Sequence, residues 1–416
     1  VTEPDGAVPT PREKKRIVLG VGGGIAAYKA CEVLRGLTES GHEVRVVPTE
    51  AALRFVGAAT FEALSGNPVH TGVFEDVPEV EHVRIGREAD LVLVVPATAD
   101  LLARAAHGNA DDLLTATLLT ASCPVLFAPA MHTEMWENAA TKANVALLRS
   151  RGSVVTEPAS GRLTGKDTGK GRLAEPAEIV AMAKLLLTRP DALPYDLAGK
   201  RVVVSAGGTR EPLDPVRWLG NRSSGKQGYA LAQVAAARGA QVTLVNAHTA
   251  ALPEPAGAEL VQVRTAAELH KAMKDAARVA DVVVMAAAVA DFRPESAADH
   301  KIKKSEKEPD AVRLIRNPDV LAELVSARTK GQVIVGFAAE TGDEFGDVLT
   351  HARAKLKRKG CDLLVVNAVG EGGAFEGDDN QGWLLSADGL ETPVPRGSKA
   401  ALAAAVWDAV AMTAVS

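Results

Sequence analysis

The chain has 416 residues, 47% hydrophobic and 4% aromatic, with a formal net charge of −5. At roughly 100–200 residues per domain, this length predicts two or three domains with substantial cores. Scarce aromatics and the negative balance argue against a nucleic-acid partner, and no apolar run approaches the ~18 residues that a membrane span needs.

Residues 1–15 carry Pro4, Pro9 and Pro11 among mixed charges and have no apolar signal-peptide core. They read as a flexible tail on a cytoplasmic protein. From residue 16, Arg16-Ile-Val-Leu-Gly-Val predicts a strand, Gly22-Gly-Gly a turn, and the apolar run from Ile25 a helix. Gly41–Val47 predicts a second strand, and Leu91–Pro96 and Pro124–Pro129 two more. His82 reads as part of the loop before Leu91. Cys31, Cys123 and Cys361 form no C-x-x-C pair, so buried free thiols are expected rather than a disulfide framework or a zinc site. Residues 188–199, with Pro190 and Pro194, predict a linker.

The pattern then restarts. Lys200-Arg-Val-Val-Val-Ser-Ala predicts a strand, Gly207-Gly-Thr a turn, and a long loop leads to a helix from Gly228 and a strand at Gly239–Val245. Further strands are expected at Asp281–Ala286, Gln332–Phe337 and Asp362–Asn367. Short Val-rich runs alternating with helices mean parallel sheets covered on both faces. Two such starts predict an α/β protein of two doubly wound, Rossmann-like domains, 16–187 and 200–416, with ligands at the carboxyl ends of the strands.

The informative residues of the second half sit at those strand ends. In Ala206-Gly-Gly-Thr-Arg-Glu-Pro-Leu-Asp-Pro-Val-Arg, glycines let backbone N–H groups approach a phosphate, and arginines such as Arg217 add charge-assisted bonds. Asn221-Arg-Ser-Ser-Gly-Lys opens a helix and makes an anion site on physical grounds, although the P-loop order is absent. Ala286-Ala-Ala-Val-Ala-Asp-Phe ends a strand in small residues against which a planar ligand fits. Lys301-Ile-Lys-Lys is a basic loop, Asn317-Pro-Asp precedes a helix, and Lys355 and Lys359 share one helix face.

In this order the motifs G-G-T-R-E-P-L-D-P-V-R, N-R-S-S-G-K, A-A-A-V-A-D-F, K-I-K-K, N-P-D and G-F-A-A-E-T closely resemble phosphopantothenate–cysteine ligases. The resemblance implies that the carboxylate of 4′-phosphopantothenate attacks the α-phosphate of CTP, and that the amine of cysteine then displaces CMP from the acyl-cytidylate. It implies CTP contacts from Met285, Ala286, Ala287, Asp291, Lys301, Pro318, Asp319, Val320, Phe337, Lys355 and Lys359. Lys301 is also expected to be catalytic, Asn221 to handle the acyl-cytidylate, and Arg217 to bind substrate. Magnesium would accompany the triphosphate, with its protein ligands undefined.

In the first half, Gly22-Gly-Gly-Ile-Ala-Ala fits the dinucleotide fingerprint G-x-G-x-x-A. The second strand nevertheless ends in Val46-Val-Pro-Thr, without the acidic residue that takes ribose hydroxyls. Pro48-Thr49 and Pro96-Ala-Thr-Ala suit a phosphate monoester better, so a mononucleotide is expected. The runs G-G-I-A-A-Y-K, His82, P-A-T-A and P-A-M resemble the flavoprotein family of cysteine decarboxylases, which bacteria fuse to the ligase. The resemblance implies FMN held between subunits by Gly23, Gly24, Thr49, Pro96, Ala97 and Thr98. His82 is then the catalytic histidine, and His132 and Arg172 bind substrate. Oxidation of the cysteinyl thiol end toward a thioaldehyde would ease loss of carbon dioxide. Trimers of the first domain and dimers of the second imply a homo-oligomer, a dodecamer.

Four positions depart from that family's pattern. His132 stands where asparagine is usual, and imidazole can donate the same hydrogen bond. Gly165 replaces a cysteine in the flap run from Ser160 to Arg172, Gly22 replaces a Ser or Thr, and Asp111 replaces an asparagine. These departures motivate one alternative, a ligase whose first half only binds flavin or drives oligomerisation. A second alternative is a non-catalytic regulatory flavoprotein, against which the full set of CTP motifs argues.

Overall fold

The structure, a computed structural model, describes residues 14–70, 81–163, 166–249, 252–303, 311–340, 347–368, 377 and 379–413. Its contacts divide the chain into two compact units, Val1–Pro190 and Asp191–Ser416.

In the first unit, β1 (Arg16–Val21), β2 (Glu43–Pro48), β3 (Leu91–Ala97), β4 (Val125–Pro129) and β5 (Val154–Val155) form one parallel sheet in the order β2-β1-β3-β4-β5. Every residue of β3 is buried, as a strand covered on both faces requires. The helices are α1 (Ala30–Thr38), α2 (Ala58–Ser65), α3 (Glu81–Glu88), α4 (Ala99–His107), α5 (Leu113–Thr120), α6 (Thr133–Glu137), α7 (Ala139–Ser150) and α8 (Pro176–Thr188). One core joins Val92, Val94 and Phe127 of the sheet to Leu101 and Leu102 of α4, Leu113 and Leu114 of α5, and Leu148 of α7. An antiparallel hairpin, β6 (Ala159–Arg162) with β7 (Thr168–Arg172), follows β5.

Two local expectations change. The run from Ile25 starts as a 3₁₀ turn, Ile25–Lys29, closed by the Ala27 amide on the Gly24 carbonyl at 2.9 Å, and α1 begins only at Ala30. Ile25 is 70% exposed, so its apolar side chain does not anchor a helix face to the core. His82 lies in the first turn of α3 rather than in a loop.

In the second unit, β8 (Arg201–Ala206) is followed by a hairpin of β9 (Arg210–Pro212) and β10 (Trp218–Gly220). Then come β11 (Gln241–Asn246), β12 (Ala258–Gln262), β13 (Val282–Met285), a second hairpin of β14 (Phe292–Pro294) and β15 (Leu314–Arg316), β16 (Val333–Glu340), β17 (Leu363–Ala368), β18 (Asp379–Ser386) and β19 (Glu391–Ser398). The main sheet runs β12-β11-β8-β13-β16-β17-β18-β19. Its first six strands are parallel, whereas β18 and β19 are antiparallel. The sheet is therefore mixed rather than purely parallel. Its antiparallel edge largely alternates buried and exposed residues in β18, which is why no Val-rich run marked it. The helices are α9 (Lys226–Ala237), α10 (Ala266–Ala277), α11 (Val320–Ser326), α12 (Val348–Lys359) and α13 (Lys399–Thr413).

From Asp191 onward, the segment read as a linker packs within the second unit. Ala192, Leu193 and Leu197 are buried, and the Leu197 amide donates to the Arg238 carbonyl at 3.0 Å. The Arg238 guanidinium, only 1% exposed, donates to Asp196 and to Asp408 of α13. Among the described residues, no helix is long and apolar enough to cross a membrane.

Candidate functional site

Both sheets reverse their strand order beside their first strand, between β1 and β3 in one unit and between β8 and β13 in the other. Connections leave such a point in opposite directions and open a crevice at the carboxyl ends of the strands.

In the first unit a cavity of about 1140 Å³ opens there. The Gly22 amide donates to the Pro96 carbonyl across the switch point at 3.1 Å. A Cβ at residue 22 would come within 2.4 Å of that oxygen, and one at residue 23 within 2.3 Å of the Ala51 Cβ. This close approach of backbones leaves no room for the Ser or Thr usual at position 22. At Gly24 a Cβ would meet only the Thr98 methyl, at 3.7 Å, so this face is open to a ligand. Thr98 caps α4 by accepting from the Leu101 amide at 3.3 Å, which leaves its O–H free to donate.

Gly23, Gly24, Thr49, Pro96 and Thr98 all line the cavity, whereas Ala97 does not and is fully buried in β3. The Thr49 hydroxyl is engaged within the chain, donating to the Val21 carbonyl at 3.3 Å and accepting from the Ala52 amide at 3.2 Å. An open glycine turn, a free threonine O–H at a helix start and a cavity of this size fit a flavin mononucleotide.

His132 and Arg172 line the same cavity. His132 occupies the N-cap of α6, and the preceding Met131 amide donates to the Gly171 carbonyl at 2.9 Å. Gly171 has φ +152°, and a Cβ there would fall 2.2 Å from the Met131 carbonyl oxygen, so the base of the hairpin can press on Met131 only through glycine. Arg172 pairs with Glu175, which also accepts from Lys29 at 3.4 Å. Asp111 accepts from Arg104 at 2.9 Å, and Asp112 from the same guanidinium at 2.8 Å. Burial alone would lower the pKa of Arg104, but the bonds to Asp112 and Asp111 outweigh it and raise the pKa. Asp111 therefore has a cationic partner that an asparagine would not need. The sequence did not single out Arg104 and Glu175, although Arg104 stands four residues from Asp100 and Glu175 three from Arg172, spacings at which charged side chains can meet.

His82 is not part of this cavity wall. Its carbonyl accepts from the Thr120 hydroxyl at 2.8 Å, at the end of the eight-residue α5 whose N-cap Asp112 lines the cavity. The His82 Nδ1 is buried without a hydrogen-bond partner among the described residues. Gly165 lies outside the described residues.

In the second unit, hydrogen bonds draw the loops over the strand ends. The Thr209 amide donates to the Ala288 carbonyl at 3.2 Å, and the Ala288 amide to the Gly207 carbonyl at 2.8 Å. The buried hydroxyls of Ser205 and Thr209 accept from the amides of Ala287 at 3.1 Å and Ala290 at 2.9 Å. The Asn221 amide donates to the Val289 carbonyl at 3.1 Å, and the Asn317 side chain to the Ala290 carbonyl at 2.8 Å. The Asn317 backbone amide reaches the Asp291 carbonyl at 2.9 Å. Asn221, Ala286, Ala287, Asp291 and the Pro318–Val320 segment therefore gather around one strand exit. Met285, at the end of β13, pairs with Gly336 of β16, and the half-buried Phe337 follows directly.

Asp319 caps α11, accepting from the Ala322 amide at 3.1 Å, and pairs with Lys359 of α12. Burial would raise the Asp319 pKa, but Lys359 lowers it. Lys355 is half-buried on the same helix, and Lys301 is exposed. Lys304 and Thr341 lie outside the described residues.

Asp214 is a residue that the sequence did not single out. Its carboxylate accepts from the Arg217 Nε at 3.0 Å and from the amides of Val216, Arg217 and Ile302 at 2.8, 2.9 and 3.1 Å. The Arg217 guanidinium holds Asp214 well below the usual carboxylate range, and it also donates to the Ile302 carbonyl at 2.8 Å. Asp214 thus joins the predicted Arg217 to the loop that carries Lys301. The sequence signals for it were its place in the G-G-T-R-E-P-L-D-P-V-R motif and its spacing of three residues from Arg217.

Among the described residues, no group of three or more His, Cys, Asp or Glu could hold a metal ion. Cys361 is buried, whereas Cys31 and Cys123 are half-buried rather than buried as expected, and burial raises the thiol pKa of all three, to about 11 for Cys361.

A family model described as flavoprotein matches residues 5–187, and one described as DNA/pantothenate metabolism flavoprotein C-terminal domain matches residues 197–413. The coenzyme A biosynthesis bifunctional protein CoaBC of Mycolicibacterium smegmatis is 68% identical over 403 residues, covering 96% of this chain and 97% of its own length. The protein of the same name from Vibrio cholerae is 43% identical over 396 residues, covering 94% and 96%. A solved C-terminal domain of a CoaBC protein is 34% identical, with a TM-score of 0.44, over 52% of this chain and 97% of that domain. With identity at this level running through both units, the chain belongs to the family of coenzyme A biosynthesis bifunctional proteins, which join a flavoprotein decarboxylase domain to a ligase domain.

Proposed function

We propose that the chain converts 4′-phosphopantothenate to 4′-phosphopantetheine in two steps, CTP-dependent ligation to cysteine in the second unit and FMN-dependent decarboxylation in the first. The observation that carries this reading is the first unit's cavity, where the open glycine turn, the Thr98 hydroxyl, His132 and Arg172 face one space.

In the ligation, the 4′-phosphopantothenate carboxylate attacks the α-phosphate of CTP and releases pyrophosphate. The cysteine amine then displaces CMP. Lys301, Lys355 and Lys359 offset the charge developing on the phosphates, which is where cationic groups lower such a barrier most. Asp319 holds Lys359 in place, and Met285–Ala287, Asp291, Pro318, Val320 and Phe337 seat the nucleotide. The Asn221 amide orients the acyl-cytidylate, and Arg217, held by Asp214, binds the substrate. Magnesium enters with the CTP phosphates.

In the decarboxylation, Gly23, Gly24, Pro96 and Thr98 hold FMN, with Thr49 shaping the turn beside it. When bound, FMN would supply two-electron oxidation of the substrate's cysteinyl end and would return the electrons after carbon dioxide leaves. His132 donates to the substrate carboxylate, and Arg172 closes over it from the base of the hairpin. FMN sits between copies of the chain, so that His82 of a neighbouring copy completes the site. Trimers of the first unit and dimers of the second then build a dodecamer in the cytoplasm.

The test is mass-spectrometric analysis of the products formed from 4′-phosphopantothenate, CTP, magnesium and cysteine. The expected product is 4′-phosphopantetheine. A reaction that stops at phosphopantothenoylcysteine would refute the decarboxylase assignment, and absence of pyrophosphate release would refute the ligase assignment.

A further inference from the structure

Resting on the decarboxylase reading, we propose that Arg54 is the anchor for the substrate's 4′-phosphate in the first unit, a second phosphate-monoester subsite distinct from the one that holds the flavin. The cavity of about 1140 Å³ exceeds the range of roughly 300–1,000 Å³ that suits one small ligand, so it has room for a flavin and a substrate together. Both ligands carry a phosphate monoester, and two dianions in one cavity need separate counter-charges.

The charges on the cavity wall are unevenly committed. Lys29 and Arg172 share Glu175, and Arg104 is held by Asp100, Asp111 and Asp112. Arg162 also has a partner. Arg54 lines the same cavity, is exposed at the end of a short 3₁₀ turn, Ala52–Arg54, and forms no ion pair among the described residues. The flavin phosphate is assigned to the Gly22–Gly24 turn and the Thr98 hydroxyl, which line the same cavity. The cavity wall near its mouth includes Ile25 and Tyr28, 70% and 55% exposed, which offer apolar contact to the substrate's branched hydrocarbon stem. A planar guanidinium matches a terminal phosphate bidentately, and that geometry gives specificity as well as affinity.

The test titrates 4′-phosphopantetheine and, separately, pantetheine into the FMN-loaded full-length protein, read by the change in flavin absorbance. This signal reports on the first unit and not on the ligase site. The native protein should bind the phosphorylated compound at least about 10-fold more tightly, one charge-assisted contact being worth roughly that factor. Arg54→Gln should abolish the preference, leave pantetheine binding unchanged and retain FMN, while Arg54→Lys restores part of it. A preference that survives in Arg54→Gln overturns the proposal. So does loss of FMN from that variant, which would assign Arg54 to the flavin phosphate, and so does equal weakening of both compounds, which would make Arg54 structural. Retained FMN together with unchanged pantetheine binding shows that the first unit of the variant is folded. Failure of the decarboxylase reading would show separately, as no carbon dioxide from the native protein whatever the binding preference.

Discussion

The two units place a glycine turn at the same topological point, and each turn reaches across to the exit of a neighbouring strand. The Gly22 amide meets the Pro96 carbonyl at 3.1 Å, and the Thr209 amide meets the Ala288 carbonyl at 3.2 Å. The surroundings then diverge. In the first unit the turn borders an open cavity, and glycine backbone forms that part of its wall. In the second, the hydroxyls of Ser205 and Thr209 and the amides of Asn221 and Asn317 tie loops over the strand ends. One topology thus supports two kinds of site, one shaped by backbone openness and one by side chains that long loops deliver.

The sharpest way to break that comparison is His82→Ala. If the first site depends on a proton-transferring histidine from outside its own cavity, decarboxylation should fall by about 10²–10⁴-fold with ligation intact. Equal loss of carbon dioxide and pyrophosphate release would show that His82 only supports α3. Arg238→Ala probes the second unit alone. Removing a buried guanidinium from between Asp196 and Asp408 should destabilise it by about 3–5 kcal/mol. The urea midpoint of ligase inactivation should drop while flavin release is unchanged, and a common shift of both would mean that the two units unfold as one.

Asp214→Ala tests whether loop delivery governs the second site. It removes the tie between Arg217 and the Lys301 loop, and ligation should fall by about 10–100-fold, the worth of a charge-assisted bond transmitted to the transition state. An unchanged rate would mean that the loop finds its position without the carboxylate. Because the folded pKa of Asp214 is depressed, the tie is complete above the unfolded value of about 3.9 and fails as pH falls through the lower folded value. The smallest effect is expected from Lys301→Ala, about a 10-fold rise in the KM for CTP with decarboxylation unaffected. An unchanged dependence on CTP concentration would make Lys301 a surface charge.

Much of this was legible before any coordinates. Continuous Val-rich runs marked β1, β3, β8 and β13, because strands buried on both faces need no polar alternation. The edge strands β18 and β19 carried no such run. His82 was misplaced because residues 81–88 are charged and short, and only packing of α3 against α5 makes them a helix. Ala97 belonged to the right motif but points into the core, since alternate residues of a strand face opposite ways. Asp214, Glu175 and Arg104 each stand within four residues of an opposite charge, a spacing too common on solvated surfaces to mark a site, and the partners that tie the two carboxylates to distant loops, Ile302 and Lys29, come only with folding.

What the sequence determined by itself was local. Glycines fixed where the backbone turns tightly, apolar period fixed the central strands, and the ordered motifs fixed the family. What only the tertiary structure decided was non-local: which cations pair within the chain, that Arg54 forms no ion pair among the described residues, and that His82 is not part of its own chain's cavity wall. Backbone preference is set by each residue and its neighbours in the chain, whereas cavity walls, and charge pairs such as Lys29 with Glu175 or Arg238 with Asp408, depend on residues tens to hundreds of positions apart, which no short stretch of sequence encodes.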